Sequence, residues 1–264
     1  MQDQVIVITG ASSGIGAALA ELMGEQGARA VLVARRRQEL DEVAARSGPN
    51  ALAVVADVTS RMDVARAFDA ALARFGQVDV WVNNAGRGIN RLVSELSDED
   101  FDEMMLVNVK SALYGMQAVL PHFRERGRGH IINVSSMLGR VPLAGIRSAY
   151  SASKHALNSL TANLRMELRA THPAIFVSSV HPGVVATEFG LKARHAGVDS
   201  RSIPGAQPVG EVAAVIANVI EHPRADVYTR PGAQKMVAAY YAAEDMGQAE
   251  QEPPFTTFLG KRPS

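Results

Sequence analysis

Short apolar segments alternate with longer segments of helical periodicity along most of this 264-residue chain. The first apolar segment, residues 5–8, is a run of β-branched side chains, which is typical of a strand buried on both faces. Residues 14–26 follow with apolar side chains at helical spacing. Repetition of this unit predicts a parallel sheet, because parallel strands need crossover connections, and helices in those connections cover the sheet.

The periodicity places each element. We predict strands at residues 5–8, 30–34, 51–56, 78–82, 130–134, 175–180 and 226–229. We predict helices at residues 14–26, 36–45, 62–75, 101–126, 149–171, 209–221 and 233–243, with a break near Lys110 in the fourth. The fold class is therefore α/β, a single doubly wound Rossmann-type domain with helices on both faces. The domain is predicted to span residues 1–232, with an aperiodic loop at about 187–208 of the kind that often covers a substrate site, and a helix and tail follow over 233–264.

Composition excludes several functional classes. The chain has 27 basic and 27 acidic side chains, which gives no electrostatic basis for binding nucleic acid or an acidic membrane. It has no cysteine, which removes disulfides, thiolate zinc sites and iron–sulfur clusters. No apolar run approaches the roughly 18 residues of a membrane span, and no signal peptide is indicated. We expect a cytoplasmic protein with no metal site, no nucleic acid partner and no membrane partner.

A glycine-rich turn joins the first strand to the first helix. Gly10, Gly14 and Gly16 let the backbone turn sharply and let a pyrophosphate approach the helix N-terminus, where unpaired N–H groups favour anions. The motif alone also fits a tight turn without a ligand. The residues that we predict to bind the cofactor here are Gly10, Ser12, Ser13, Gly14, Ile15 and Gly16.

The end of the second strand carries arginine where an NAD site would carry an acid. A guanidinium at Arg35 would pair with the 2′-phosphate of NADP(H), so this cofactor is favoured. The alternative is that residues 35–37 only open a solvated helix. We also predict that Asp57 and Val58 bind the cofactor. Asp57 would bond the adenine amino group, or would serve as an acid at a helix N-terminus.

Tyr150 and Lys154 lie four residues apart on a predicted helix, which places both on one face. A tyrosine is a weak base at neutral pH because its ordinary pKa is about 10. A neighbouring ammonium favours the phenolate and lowers that pKa, so the pair is suited to proton transfer. An exposed helix face is the alternative.

The order of these motifs resembles that of short-chain dehydrogenases/reductases over about residues 3–230. The matching signals are residues 9–16, Asn83-Asn84-Ala85-Gly86, Asn108, Ser136, Tyr150 with Lys154, and the run from Pro182 to Thr187. The spacing from Ser136 to Tyr150 is one residue longer than the family's usual spacing. The resemblance implies a hydride transfer between a nicotinamide cofactor and a carbonyl or alcohol.

The resemblance also implies a role for each residue. Tyr150 would be the general acid or base, and Lys154 would hold the nicotinamide ribose and lower the pKa of Tyr150. Ser136 would orient the substrate oxygen, and Asn108, at a break in its helix, would hold a relay water. The remaining cofactor contacts would come from Asn84, Ala85, Gly86, Pro182, Gly183, Val185 and Thr187, with Asn83 bracing the fourth strand.

The substrate is expected to be a largely apolar small-molecule carbonyl or alcohol. The predicted pocket side chains are Met137, Leu138, Val141, Leu143, Ile146, Phe189 and Leu191. Four loop arginines, Arg87, Arg91, Arg140 and Arg147, would meet an anionic group or simply lie in solvent. Surplus apolar side chains on the helices near 107–119 and 152–168 suggest a homodimer or homotetramer. Phe255 and Phe258 would dock on this or a neighbouring subunit near the active-site mouth, unless the tail is disordered.

Two other functions fit part of the pattern. A catalytically idle NADP-binding regulator would need only the cofactor half of the site. A lyase or epimerase would use the same tyrosine and lysine, usually with a larger substrate domain. The intact set of Asn108, Ser136, Tyr150 and Lys154 favours the oxidoreductase.

Overall fold

The structure is a computed structural model, and it describes residues 1–256. Within that range, seven parallel strands form one sheet in the order β3-β2-β1-β4-β5-β6-β7. The strands are β1 (Val5–Thr9), β2 (Arg29–Ala34), β3 (Leu52–Val55), β4 (Val80–Asn83), β5 (Gly129–Val134), β6 (Ile175–His181) and β7 (Asp226–Tyr228). Every predicted strand is confirmed, with its ends moved by two residues at most.

The helices follow the predicted alternation. They are α1 (Gly14–Glu25), α2 (Arg37–Arg46), α3 (Arg61–Phe75), α4 (Asp98–Met105), α5 (Ser111–Arg126), α6 (Ser148–Arg169), α7 (Val209–Glu221), α8 (Ala233–Ala242) and α9 (Met246–Ala249). The segment predicted at 101–126 is two helices joined by a π-helical turn, Leu106–Lys110, so the break near Lys110 is confirmed. The short helix α9 was not predicted, because its surroundings in the sequence are polar.

Helix α4 begins earlier than predicted because its first turn is capped. The Ser97 hydroxyl accepts a hydrogen bond from the Asp100 N–H at 3.2 Å. Three acidic residues fill the first turn, where they interact favourably with the helix dipole. Capping by a polar residue leaves no apolar signal, so the periodicity alone placed the start at residue 101.

Alternation along the strands divides the core into two layers. Ile6 and Ile8 of β1 point to the layer that contains α1, α2 and α7, whereas Val5 and Val7 point to the layer that contains α3, α5 and α6. Both faces of β1 are fully buried. Burial on both sides explains why β1 reads as an unbroken apolar run rather than an alternating one.

The strand order reverses between β1 and β4, and this reversal positions the site. From β1 the chain adds β2 and β3 on one side, and later adds β4 to β7 on the other. Loops at the carboxyl ends of β1 and β4 therefore diverge and leave a crevice, where ligands bind in open α/β sheets. In the described part of the chain, no helix is both long and apolar enough to cross a membrane.

A small third cluster covers the carboxyl side of the sheet. Val237 and Tyr240 of α8 pack with Phe255 against Met137 and Val141. The Phe255 ring centroid lies 5.1 Å from that of Tyr240. Phe255 thus docks on its own chain beside the loop after Ser136, as one form of the tail hypothesis predicts. Phe258, its proposed companion, lies outside the described residues.

Candidate active site

The glycine-rich turn lies at the carboxyl end of β1 and is closely packed against the loop after β4. Gly10 has a φ of +68°, and a Cβ there would lie 2.8 Å from the Ala85 Cα. A Cβ on Gly16 would lie 2.6 Å from the Asn84 Nδ2 and from the Gly10 carbonyl oxygen. Gly14 and Ile15 open α1. The turn therefore has the sequence and backbone approach that a pyrophosphate site needs.

The side chain of Asn84 fastens this turn to the sheet. Its Nδ2 donates to the Thr9 carbonyl oxygen at 2.9 Å, and the Thr9 hydroxyl accepts from the N–H groups of Asn84 and Ala85 at 3.0 and 3.1 Å. Asn84 thus holds the two loops that flank the crevice. Asn83 braces β4, as expected, since its amide bonds Asn133 and the Ala112 carbonyl. Thr9 was missed, although a polar residue ending an apolar strand was a usable signal.

The two serines of the turn are bound by Arg36, which lies between β2 and α2. Nη2 of Arg36 donates to the hydroxyls of Ser12 and Ser13 at 2.9 and 3.0 Å, and its Nη1 donates to Glu39 at 2.8 Å. The Ser12 and Ser13 oxygens, predicted to bind the cofactor, accept from Arg36, and each hydroxyl keeps a proton that it could donate to a phosphate. This contact connects the phosphate turn to the arginine cluster after β2, and it was missed because only Arg35 was singled out.

Arg35 and Asp57 meet at the carboxyl edges of β2 and β3. Nη1 of Arg35 lies 3.8 Å from a carboxylate oxygen of Asp57, and the Arg35 side chain is 71% exposed. The N–H and hydroxyl of Thr59 both donate to Asp57, at 2.9 and 2.7 Å. Asp57 therefore closes the loop that contains Val58, while Ser60 caps α3. Asp57 is not the helix cap.

Tyr150, Ser136 and Lys154 converge at the carboxyl end of β5. Tyr150 is buried in α6, and burial raises the pKa of its phenol, while a hydrogen bond from Ser136 and the charge of Arg147 oppose this rise in pKa. Lys154 donates to the Val134 carbonyl oxygen at 2.9 Å, and its Nζ lies 5.7 Å from the Tyr150 ring centroid. Burial lowers the pKa of Lys154 to about 8.

This electrostatic balance differs from the sequence expectation. Lys154 was expected to lower the pKa of Tyr150, but removal of the phenol from water dominates. Ile89, Met104 and Ala149 enclose the ring together with Phe189, which packs edge-on at 5.6 Å. Burial therefore favours the neutral, protonated phenol of Tyr150 over the phenolate.

Asn108 lies within the π-helical turn and is buried. Its Oδ1 accepts from the Arg87 N–H at 2.9 Å, and its Nδ2 donates to the Arg87 carbonyl oxygen at 3.0 Å and to Ser153 at 3.1 Å. A Cβ on Gly86 would lie 3.0 Å from Asn108 Oδ1 and 3.7 Å from Lys154 Nζ. Gly86 therefore lets Asn108 and Lys154 approach one another across the loop. Ser153 was missed as a partner of Asn108.

The segment after β6 closes the crevice over the glycine turn. The Pro182 carbonyl oxygen accepts from the Met137 N–H at 2.8 Å, and a Cβ on Gly14 would lie 3.4 Å from the Thr187 side chain. Gly183 lies against Arg230. The side chain of Val185 is buried with the core layer that includes α1 and α7, so the contact predicted between Val185 and the nicotinamide would involve its backbone. Thr187 is the residue of this run that meets the turn.

Only part of the expected substrate pocket lies beside Tyr150. Leu138 and Phe189 pack with its ring. The other expected pocket residues lie elsewhere: Met137, Val141 and Leu143 pack with Phe255, whereas Ile146 and Leu191 are exposed. The tail thus covers side chains that the sequence suggested would face substrate.

Ion pairs hold residues 187–208 against α4. Asp100, which is buried, pairs with Arg194 at 2.6 Å and with His195 at 2.7 Å. Arg194 also pairs with Glu103, which binds Arg87 as well. These contacts place Phe189 over Tyr150, so the loop forms one wall of the crevice.

Comparisons with known proteins agree with this architecture. The profile of the short chain dehydrogenase family matches residues 4–197. An uncharacterized oxidoreductase of Staphylococcus epidermidis is 38% identical over 187 residues, which cover 71% of this chain and 80% of that protein.

Two solved structures extend the likeness to three dimensions. A short-chain dehydrogenase/reductase from Burkholderia phymatum, in complex with NAD, has a TM-score of 0.84 at 27% identity, covering 94% of this chain and 95% of that chain. An alcohol dehydrogenase from the archaeon Thermococcus sibiricus, complexed with 5-hydroxy-NADP, has a TM-score of 0.76 at 28% identity, covering 86% and 96%. The resemblance drawn from the motifs is confirmed, and the chain belongs to the short-chain dehydrogenase/reductase family of oxidoreductases.

Proposed function

We propose that this protein is an NADP(H)-dependent oxidoreductase that interconverts a ketone or aldehyde with an alcohol, using Tyr150 as general acid and base. The observation that carries the proposal is the convergence of Tyr150, Ser136 and Lys154 in one buried site at the switch point of the sheet. The solved relatives from Burkholderia and Thermococcus were captured with NAD and a derivative of NADP, which supports a nicotinamide cofactor.

The crevice fits such a cofactor. Gly10 and Gly16 leave no room for side chains where a pyrophosphate would meet the turn. The Lys154 ammonium, buried beside Gly86, has a single protein acceptor, the Val134 carbonyl oxygen, among residues 1–256, so further N–H donors remain for ribose hydroxyls. Asn84, Ala85, Gly86 and Thr187 would flank the cofactor. A bound NADPH would supply the hydride that reduces the carbonyl carbon.

The chain's own side chains perform the proton transfer. The Ser136 oxygen accepts from the Leu138 N–H at 3.1 Å, and its hydroxyl proton would turn from Tyr150 to the substrate oxygen when substrate binds. As negative charge grows on that oxygen, Ser136 and Tyr150 stabilise it, and Tyr150 transfers its proton. The carbonyl thus gains a hydride at carbon and a proton at oxygen. Lys154 and a water held near Asn108 would return a proton to Tyr150.

Two arginines support a preference for NADP(H) over NAD(H). No acid follows β2, and Arg35 reaches over the end of β3 to within 3.8 Å of Asp57. Arg36 stands directly on the serines of the phosphate turn. Together they place positive charge where a 2′-phosphate would lie. Arg37 instead pairs with Asp41 one turn along α2.

Tyr150→Phe tests the assigned chemistry. We expect loss of turnover by about a thousandfold or more on a panel of ketones, aldehydes and secondary alcohols, followed by NADPH absorbance, because the proton donor is removed. NADPH binding, followed by fluorescence, should persist. Tyr241→Phe is the control, since that hydroxyl bonds the Arg140 carbonyl oxygen away from the site. Binding without turnover in the wild type would instead favour the idle regulator.

Arg35→Asp tests the cofactor preference. We expect the ratio of kcat/KM with NADPH to that with NADH to fall about tenfold or more, because attraction of the 2′-phosphate becomes repulsion. Arg37→Asp makes the same charge change two residues further and should leave the ratio unchanged. Equal ratios in Arg35→Asp and the wild type would refute Arg35 as the phosphate ligand.

The proposal includes a homodimer or homotetramer that works in the cytoplasm. Leu113, Tyr114 and Leu120 of α5 are only half-buried against the core, and Met166 of α6 is 74% exposed. Pairing of these helices with a second copy would cover that surface. A single species of monomer mass in sedimentation at micromolar concentration would contradict the assembly.

A further inference from the structure

Arg147 lies one helical turn before Tyr150, at the start of α6. A Cβ on Gly88 would lie 2.6 Å from the Arg147 Nη1 and 3.0 Å from the Phe189 ring, so both side chains reach the Gly88 backbone. The same Phe189 ring packs against Tyr150. The charge of Arg147 is also close enough to oppose the rise in the pKa of Tyr150. Arg147 and Phe189 therefore border the space next to the catalytic phenol.

The four loop arginines of this region differ in their partners. Arg87 pairs with Glu103, and Arg140 pairs with Asp226. Arg91 has carboxylates of Asp100 and Glu95 within 4.0 Å. Arg147 forms no such pair within residues 1–256.

The guanidinium of Arg147 is also poorly hydrogen-bonded. Its Nη1 is buried and has no hydrogen-bond partner among the described residues. Burial lowers the pKa of Arg147, as expected for a cation with no anion beside it. A half-buried guanidinium without an acceptor is costly, and a bound anion would remove that cost.

We propose that Arg147 binds a carboxylate of the substrate, so that this enzyme acts on oxo acids and their hydroxy acid counterparts. The proposal rests on the function proposed above and defines its substrate class. The carboxylate would pair with Arg147, and the carbonyl would point to Ser136 and Tyr150. Leu138 and Phe189 would contact the carbon chain. The reaction leaves the carboxylate unchanged, since hydride goes to the carbonyl carbon and the proton to its oxygen.

The first experiment compares each acid with its methyl ester, which has the same carbonyl but no charge. The probes are pyruvate, acetoacetate and levulinate with their esters, assayed with NADPH. We expect the wild type to favour at least one acid, and Arg147→Gln to lower kcat/KM on that acid about 10- to 100-fold. In the same variant, kcat/KM on the matching ester should fall less than about threefold, because the ester carries no charge for Arg147 to bind. Arg147→Lys should recover part of the loss.

Lys192→Gln is the matched control. It removes one positive charge from the same loop region, but Lys192 already pairs with Glu188 at 2.7 Å. It should leave the acid-to-ester ratio unchanged. An equal loss on acid and ester in Arg147→Gln would overturn the proposal, because Arg147 would then act only on Tyr150. Wild-type preference for the esters would overturn it as well.

A second measurement does not depend on turnover. Calorimetry with the NADP⁺-saturated protein compares butyrate with butyramide, which differ in charge. We expect butyrate to bind the wild type about tenfold or more tightly than Arg147→Gln, and butyramide to bind both alike. Equal affinity for butyrate in the wild type and in Arg147→Gln would refute the carboxylate site. Failure of the oxidoreductase function would appear separately, as NADPH binding with no turnover of any carbonyl.

Discussion

Acid should destabilise this protein through His130, in the middle of the sheet. His130 is only 4% exposed, and its Nε2 lies 2.8 Å from the Ser178 hydroxyl oxygen. Its Nδ1 has no partner within residues 1–256, and the Phe176 ring packs on it edge-on. Burial lowers the pKa of His130 to about 4, because the imidazolium would lose its hydration without gaining an anion.

The direction and size of the effect follow from proton linkage. The pKa of His130 is lower in the folded state than in the unfolded state, where it is about 6.5, so the unfolded chain binds more protons between these values. The contribution to stability is complete above about pH 6.5 and is lost as the pH falls toward 4. It amounts to roughly 3 kcal/mol in full, of which about 2 kcal/mol disappears between pH 7 and pH 5.

Urea unfolding at pH 7 and pH 5 measures this loss. Other groups contribute to the wild-type pH dependence, so the quantity of interest is the change caused by His130→Gln, which keeps a polar side chain but cannot titrate there. We expect the loss of unfolding free energy between the two pH values to shrink by about 2 kcal/mol. His155→Gln replaces an exposed histidine of α6 and controls for substitution itself.

Two outcomes would refute the reasoning about His130. One is a pH-dependent loss in His130→Gln that equals the wild-type loss. The other is an NMR titration of the wild type in which the imidazole of His130 changes charge near pH 6.5. The titration uses the wild type, so it tests the pKa of His130 even if His130→Gln folds poorly.

Two further predictions concern stability elsewhere. Gly10→Ala should lower the free energy of unfolding more than Gly76→Ala does. Both glycines have φ near +70°, where a Cβ costs about 1–2 kcal/mol in backbone strain. Only at Gly10 would the new Cβ also clash with backbone, 2.8 Å from the Ala85 Cα. Equal losses of stability in thermal unfolding would show that the turn at Gly10 shifts to make room for a Cβ. Phe255→Ala should cost about 3 kcal/mol in urea unfolding, because its ring is buried on α8, whereas Phe101→Ala, at an exposed position, should cost much less. Similar costs would show that the tail is not docked.

The fold could be predicted because its strands and helices each produce a pattern of apolar residues within a short stretch of sequence. Strands buried on both faces must be apolar throughout, as at β1, and crossover helices must carry an apolar stripe, as at α7. Both signals lie within windows of a few residues. Where a boundary depends on a polar contact instead, as at the Ser97 cap of α4, periodicity misplaced it.

The candidate site was predictable in composition but not in its internal contacts. The spacing of Tyr150 and Lys154, and the glycines of the turn, act through one element or one turn. The contacts of Arg36 with Ser12 and Ser13 join segments more than twenty residues apart. Neither periodicity nor spacing can show which acceptor such an arginine finds, because strand order determines its neighbours. The same holds for the side chain of Val185, which packs in the core layer that includes α1 and α7.

Which cations have a carboxylate partner is visible only in the structure. The chain is neutral overall, with 27 basic and 27 acidic side chains, yet neutrality is not uniform. Beside Tyr150, Lys154 and Arg147 both lie without a carboxylate within 4 Å in residues 1–256, while arginines a few residues away are neutralised by Glu103 or Asp226. Two uncompensated cations around one phenol favour negative charge in that space, both the charge that would develop on the oxygen of a reacting carbonyl and the charge of the proposed oxo acid substrate. Burial alone would make such a site hostile to anions, and these two cations oppose it.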